Sequence, residues 1–223
     1  IMERSAVKMT SNLGIHLSTF PFLYFSQRQA VDIIWLEEVD EEMRRLIFEL
    51  LNAYGPPPID VVVVGAERTR LEVGDLSRLD ISLPLDKYAV LREVALLHAV
   101  ADPQLIEIWA IPPDIRQDEL ATELSLALLL RLADSMVAKV DFELLMARAS
   151  PGVIEGDTVA YTIVRTFAND VSISLALAGR HSEALQIVNR LAGHPVYQLY
   201  RQFWDFALTN FKFLPLYNWL LLL

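Results

Sequence analysis

The stretch that most constrains the fold is residues 118–149, just past the middle of the chain, where the sequence predicts a long helix. Around residues 124–132 this helix is apolar on almost every side. A helix without a polar face is a central one, because water cannot solvate any side of it. We therefore expect a helical C-terminal half of packed antiparallel hairpins that encloses this segment.

The first half of the chain mixes two periodicities. Residues 32–54 carry one apolar stripe at three- and four-residue spacing, which predicts a helix that ends at the Gly-Pro-Pro-Pro stretch 55–58. Asp86 is placed to cap another helix, which continues to about residue 101. β-branched or alternating residues predict strands at 59–65, 69–73 and 104–111, with a weaker one at 79–84.

The expected fold class is mainly α with a small β layer, that is, α+β. We place a mixed α/β region at residues 1–114 and an all-helical region at residues 115–223, with one continuous domain as the alternative. Pro57, Pro103, Pro151 and Pro195 follow similar helix endings at nearly equal intervals. The elements between these prolines differ, so we interpret the spacing as convergent helix endings, with a solenoid repeat as the alternative.

Residues 168–195 resemble a tetratricopeptide helical hairpin. Small or apolar residues stand at Ala168 and Leu175, Gly179 occupies the turn, and Ala184 and Val188 follow at the family's spacing. Departures are the missing aromatic residue at Ala168 and the early Pro195. The resemblance implies a helical surface that binds a peptide or protein partner, and it implies no catalysis.

Composition excludes several classes of function. The net charge is −10 and basic residues are dispersed, which disfavours nucleic acid as a ligand. The absence of cysteine excludes disulfides and thiolate metal sites. The chain carries no glycine-rich phosphate loop and no zinc-binding motif, so we expect no cofactor and no metal in the leading interpretation. We also expect a cytoplasmic protein without a transmembrane span, with peripheral membrane contact left open.

One enzymatic hypothesis rests on carboxylates near the predicted strands. Asp60 precedes the strand 59–65, Glu72 lies in the strand 69–73, and Glu107 lies in the strand 104–111. If these carboxylates met at one end of a sheet, they could hold Mg²⁺ or Mn²⁺ for a divalent-metal-dependent hydrolase or nuclease. The alternative is that they are solvated charges paired with neighbouring arginines.

The last 28 residues carry an unusual number of aromatic side chains and only three charged ones. An exposed patch of this kind would exceed what a monomer usually leaves in water, so it must be covered. The leading hypothesis is a non-enzymatic protein-interaction or assembly module that forms a homo-oligomer or binds another protein. The predicted interface residues are Tyr200, Phe203, Trp204, Phe211, Tyr217 and Trp219.

Overall fold

The computed structural model describes residues 31–149, 152–211 and 215–223, without the side chains of Glu107 and Tyr217. The chain divides into two compact units, Ile1–Ala101 and Asp102–Leu223. The division therefore falls at the end of a helix, ahead of the boundary at residue 114, which lies where the predicted strands stop. The first 30 residues of the predicted mixed α/β region lie outside the described residues.

The first unit combines a four-stranded sheet with two helices. Its elements are β1 (Asp32–Trp35), α1 (Glu41–Leu51), β2 (Val61–Ala66), β3 (Arg70–Glu72), β4 (Arg78–Ser82) and α2 (Lys87–Ala101). The strand order is β1-β2-β4-β3. β1 and β4 both run parallel to β2, and β3 pairs antiparallel with β4.

The two faces of this sheet differ in polarity, most clearly along β4. Val62 and Val64 of β2 share one face with Leu79 and Ile81 of β4, and all four side chains are buried. On the other face, Arg78 is half-exposed and its guanidinium contacts the Asp80 carboxylate. The apolar face supplies the core of the unit, where α2 packs against β3 and α1 packs against α2.

The predicted helix at residues 32–54 is wrong in its first part. Residues 32–35 form a strand instead, and the helix begins only at Glu41, behind an Asp40 side chain that accepts a hydrogen bond from the Met43 N–H. The physical reason is tertiary: the short β-branched stretch gains a parallel partner in β2, with Ile33 opposite Val62. The predicted capped helix is confirmed, because Asp86 accepts from the Ala89 N–H at 3.2 Å.

The described residues of the second unit form helices joined by loops and turns, without a strand. Its helices are α3 (Ile106–Trp109), α4 (Glu119–Val140), α5 (Phe142–Met146), α6 (Val159–Asn169), α7 (Ser172–Leu177), α8 (His181–Val188), α9 (Tyr197–Asn210) and α10 (Leu216–Leu220). Two short 3₁₀ turns, Pro113–Ile115 and Asn189–Leu191, join some of them.

Helix α4 is the centre of this unit, as its composition predicted. It packs against α3, α5, α6, α7 and α10. Its buried side chains include Leu124, Leu128 and Leu129, each with no accessible surface. Asp118 caps its first turn by accepting from the Ala121 N–H. The predicted single helix at residues 118–149 is wrong in its last part, because α4 ends at Val140 and the Asp141 carboxylate caps α5 as a separate helix. The all-round apolar sequence is therefore explained by all-round helix contacts.

The predicted strand at residues 104–111 is wrong. The chain there forms the single-turn helix α3, which packs on α4, and the carbonyl of Trp109 accepts a hydrogen bond from the Ser125 hydroxyl. Alternation over so few residues fits a buried helical turn as well as a strand. The packing partner therefore decides which of them forms.

The hairpin that resembles a tetratricopeptide unit consists of α7 and α8, joined at Gly179 with φ +90°. The Arg180 N–H bonds to the Leu175 carbonyl and the Gly179 N–H bonds to the Ala176 carbonyl, which is the Schellman arrangement. Its first helix is only six residues long. Together the two units confirm the expected α+β class with a helical C-terminal half. Among the described helices, none is long and apolar enough to cross a bilayer.

Candidate functional site

Asp60, the first residue of the predicted acidic site, makes contacts that stabilise the sheet. Asp60, directly before β2, accepts a 2.7 Å hydrogen bond from the Ser77 N–H through Oδ2. The Asp60 N–H in turn donates to the Ser77 carbonyl at 2.9 Å. This reciprocal pair joins the start of β2 to the residue that precedes β4. The Asp60 carboxylate therefore links the start of β2 to the start of β4 at this end of the sheet.

Glu72 lies at the same end of the sheet, because β4 pairs Arg78 with both Val61 and Glu72. Its carboxylate forms an ion pair with Arg70 at 2.7 Å. Arg70 also contacts Asp80, the buried carboxylate at the middle of this charged row. These contacts are the arginine-paired arrangement that competed with metal binding in the sequence interpretation.

Glu107 does not join this pair on a strand, because it belongs to helix α3 of the second unit. Its side chain lies outside the described residues. Across the part of the chain that the structure describes, no group of three histidine, cysteine, aspartate or glutamate side chains is arranged to hold a metal ion. The sheet-edge geometry on which the metal hypothesis relied therefore applies to Asp60 and Glu72 alone.

The predicted aromatic interface residues lie in the core of the second unit. Tyr200, Phe203, Trp204, Phe211 and Trp219 are buried, and the side chain of Tyr217 lies outside the described residues. Trp219 is the centre of the cluster. Its ring contacts Phe203 and Phe211 at centroid distances of 5.8 and 5.6 Å. The five described side chains are therefore shielded from water by other residues of the same unit and are not accessible to a partner in this conformation.

Sequence reasoning missed a buried polar network beneath these aromatic residues. Asp170, between α6 and α7, accepts from the Ser172 hydroxyl at 2.6 Å and from the Tyr200 hydroxyl at 2.7 Å. The Ser172 hydroxyl also accepts from the Trp204 indole N–H at 2.7 Å. Burial, together with the charge of Asp170, raises the pKa of Tyr200 well above its ordinary value. The Tyr200 hydroxyl group therefore stays protonated and donates its hydrogen bond to Asp170.

Arg131 of α4 extends this network. It is buried, forms an ion pair with Asp134 at 2.7 Å, and donates to the carbonyls of Ala168 and Asp170. An arginine within a leucine-rich helix was the available signal in the sequence, since a buried guanidinium requires acceptors. The network joins α4, the α6–α7 junction and α9, and its buried groups serve the fold.

The outer face of α9 carries the exposed apolar residues of this region. Leu199 is 49% exposed, and Phe206, two helical turns later, is half-buried. The Phe206 ring meets the buried ring of Trp219 edge-on at 5.4 Å. Exposed Leu221 and Leu222 follow Trp219 in the chain. Phe206 therefore connects the surface of α9 to the end of α10.

Comparison with known protein families, with curated proteins and with solved structures gives no match. The tetratricopeptide resemblance accordingly rests on the α7–α8 hairpin alone.

Proposed function

We propose that this chain is a non-enzymatic assembly module that pairs with a second copy of itself through the outer face of α9. The observation that carries the proposal is the uncharged stripe of Leu199, Gln202 and Phe206. These residues stand at positions i, i+3 and i+7, so they lie along one side of the helix. We name them the α9 stripe.

The order of residues in the α9 stripe suits a two-fold pairing. Gln202 lies between two large apolar side chains, so an antiparallel copy would place Leu199 against Phe206 at both ends. An amide both donates and accepts, so two Gln202 side chains can satisfy each other at the axis. Such an interface is self-complementary, as a two-fold contact must be.

The fold supports this surface from beneath. Tyr200, Phe203 and Trp204 hold α9 in the core along the adjoining face of the helix, and Phe206 rests on Trp219. Rigid support reduces the entropy lost when side chains become ordered on association. The aromatic C-terminal region then serves assembly indirectly, by fixing the helix that carries the contact residues.

The test is the solution mass of the full chain, measured by light scattering after size exclusion over a wide concentration range. The proposal expects a mass that rises toward twice the 25.3 kDa of one chain. The Leu199→Lys variant places a charge at each end of the interface and should raise the dissociation constant by about tenfold or more. Leu185→Lys on α8 is the matched control, because Leu185 is also an exposed leucine and lies outside the stripe.

A second variant tests the register. Gln202→Glu would bring two carboxylates together only if the pairing is antiparallel and centred on this residue. It should weaken the dimer at low salt and recover in part at high salt, where charges are screened. A mass equal to one chain at every concentration would overturn the self-association proposal. If Leu199→Lys and Leu185→Lys changed the dissociation constant equally, the α9 stripe would not be the interface.

A further inference from the structure

The outer edge of β3 is held by a side chain rather than by another strand. The backbone N–H of Leu71 donates a 3.0 Å hydrogen bond to Oε2 of Glu93, which belongs to helix α2. An edge strand usually offers such N–H groups to water or to a foreign strand. Here a carboxyl group from the helix that packs on β3 occupies that position.

Glu93 makes this contact from a buried site. The residue is only 7% exposed, and the Leu71 side chain has no accessible surface. Val90, Val94 and Leu97 of the same helix are buried as well. An ionised carboxylate loses most of its hydration in such surroundings, so burial favours the protonated acid. Burial raises the pKa of Glu93 to about 7, although Arg92 and the Leu71 hydrogen bond act in the opposite direction.

Apart from Arg92, whose charge acts on Glu93, the charged groups of the neighbouring elements point elsewhere. Arg70 and Glu72 flank Leu71 in β3, but alternation places them on the opposite face of the sheet, where they pair with each other. Helix α1 packs on α2 through its buried residues, and its charged residues are exposed: Glu41, Glu42, Arg44, Arg45 and Glu49. On α2 itself, Lys87 is exposed and His98 lies more than one turn away from Glu93.

We propose that Glu93 is a proton-operated latch on the outer edge of β3. The protonated carboxyl group stays buried, and its carbonyl oxygen accepts the Leu71 N–H. When the carboxyl group releases its proton to bulk water, the carboxylate gains hydration by swinging out, and the edge of β3 loses its cover. The latch lies in the first unit and does not depend on the α9 stripe.

The direction of the pH effect follows from linkage. Because the pKa of Glu93 is about 7 in the closed state and about 4.5 when the group is hydrated, the closed state binds more protons between these values. The closed state is therefore most favoured below about pH 4.5. It becomes less favoured as the pH rises to about 7, and the equilibrium changes little above that. The opening equilibrium should increase roughly 40-fold between about pH 5 and pH 7.

The test is hydrogen exchange of the Leu71 N–H in the full chain, followed by NMR from about pH 5 to pH 8 and corrected for the intrinsic exchange rate. We expect protection to fall between about pH 5 and 7 and then level off. The neutral isostere Glu93→Gln should keep high protection at every pH. Glu49→Gln on α1 is the matched control, since Glu49 is an exposed glutamate, and it should behave as the wild type does.

Two results would overturn the latch. One is the same pH dependence of Leu71 protection in the wild type and in Glu93→Gln. The other comes from a direct carboxyl ¹³C titration of the wild-type chain, which needs no variant to fold. A midpoint for Glu93 near that of exposed glutamates would end the proposal, whereas a midpoint near 7 would support it.

Discussion

The hydroxyl group of Tyr200 donates a 2.7 Å hydrogen bond to Oδ2 of Asp170, and both residues are buried. This bond connects helix α9 to the turn between α6 and α7. Asp170 also accepts two bonds from Ser172, one from its N–H at 2.8 Å and one from its hydroxyl. A single carboxylate thus orders three segments of the helical unit.

Removal of this hydroxyl should destabilise the chain measurably. Tyr200→Phe keeps the ring in the core but leaves the buried Asp170 carboxylate with one donor fewer, at a cost of about 1–3 kcal/mol in the free energy of unfolding. Denaturant unfolding measures this cost. Tyr197→Phe is the matched control, because its hydroxyl bonds to Asn189 at the surface, and it should cost about 0.5 kcal/mol or less. Equal costs would contradict the role assigned to Asp170.

The buried ion pair between Arg131 and Asp134 predicts a non-additive pair of substitutions. Arg131→Met removes the guanidinium partner of a buried carboxylate and should cost about 3–5 kcal/mol of unfolding free energy. Addition of Asp134→Leu should recover part of that loss, because the carboxylate that lost its guanidinium partner is then no longer in the core. The measurement is a double-mutant cycle from denaturant melts.

Arg165→Met provides the comparison for that cycle. Arg165 pairs with Glu123 at 2.9 Å, but both side chains are partly exposed. We expect a cost of about 1 kcal/mol or less, because water screens this pair. If Arg131→Met cost no more than Arg165→Met, the buried network would not be the stabilising feature that its geometry indicates.

His98 predicts a loss of stability in mild acid. Burial lowers the pKa of this histidine below its ordinary value of 6.5, and its ring packs edge-on against Tyr54. The His98 ring therefore binds a proton more readily in the unfolded chain than in the folded chain, so its contribution to stability falls as the pH decreases below about 6.5. Unfolding at several pH values should show a smaller acid loss for His98→Gln than for the wild type. An identical acid loss in the two proteins would refute this prediction.

Gly156 predicts a steric effect in the segment that runs along α6. Its N–H bonds to the Thr162 hydroxyl, and a Cβ at this position would lie 2.5 Å from the Cβ of Tyr161. Gly156→Ala should therefore cost about 1–3 kcal/mol, because the segment must shift off the helix. A Cβ at Gly152 would meet no atom within 4 Å, so Gly152→Ala should be nearly neutral. Thermal melts of both variants measure the two effects. A neutral Gly156→Ala would mean that the segment is not packed as described.

The sequence by itself determined the features whose signals are local. The apolar surface of α4 required enclosure, Asp86 capped α2, and Gly179 supplied a backbone with φ +90° between α7 and α8. Each of these depends on a few consecutive residues. Hydration, capping and backbone sterics act over that range, so sequence patterns report them reliably.

Only the tertiary structure decided the features that depend on a distant partner. Residues 32–35 form a strand because β2 pairs with them, and residues 106–109 form a helical turn because α4 packs against them. The aromatic C-terminal residues predicted as an interface are covered by their own unit, with Trp219 in contact with Phe203 and Phe211. The contacts of Asp170 depend on residues of α9: Tyr200 donates to its carboxylate, and Trp204 donates to Ser172, which bonds to the same carboxylate. In each case the stabilising contact lies far along the chain, where local propensity carries no information about it.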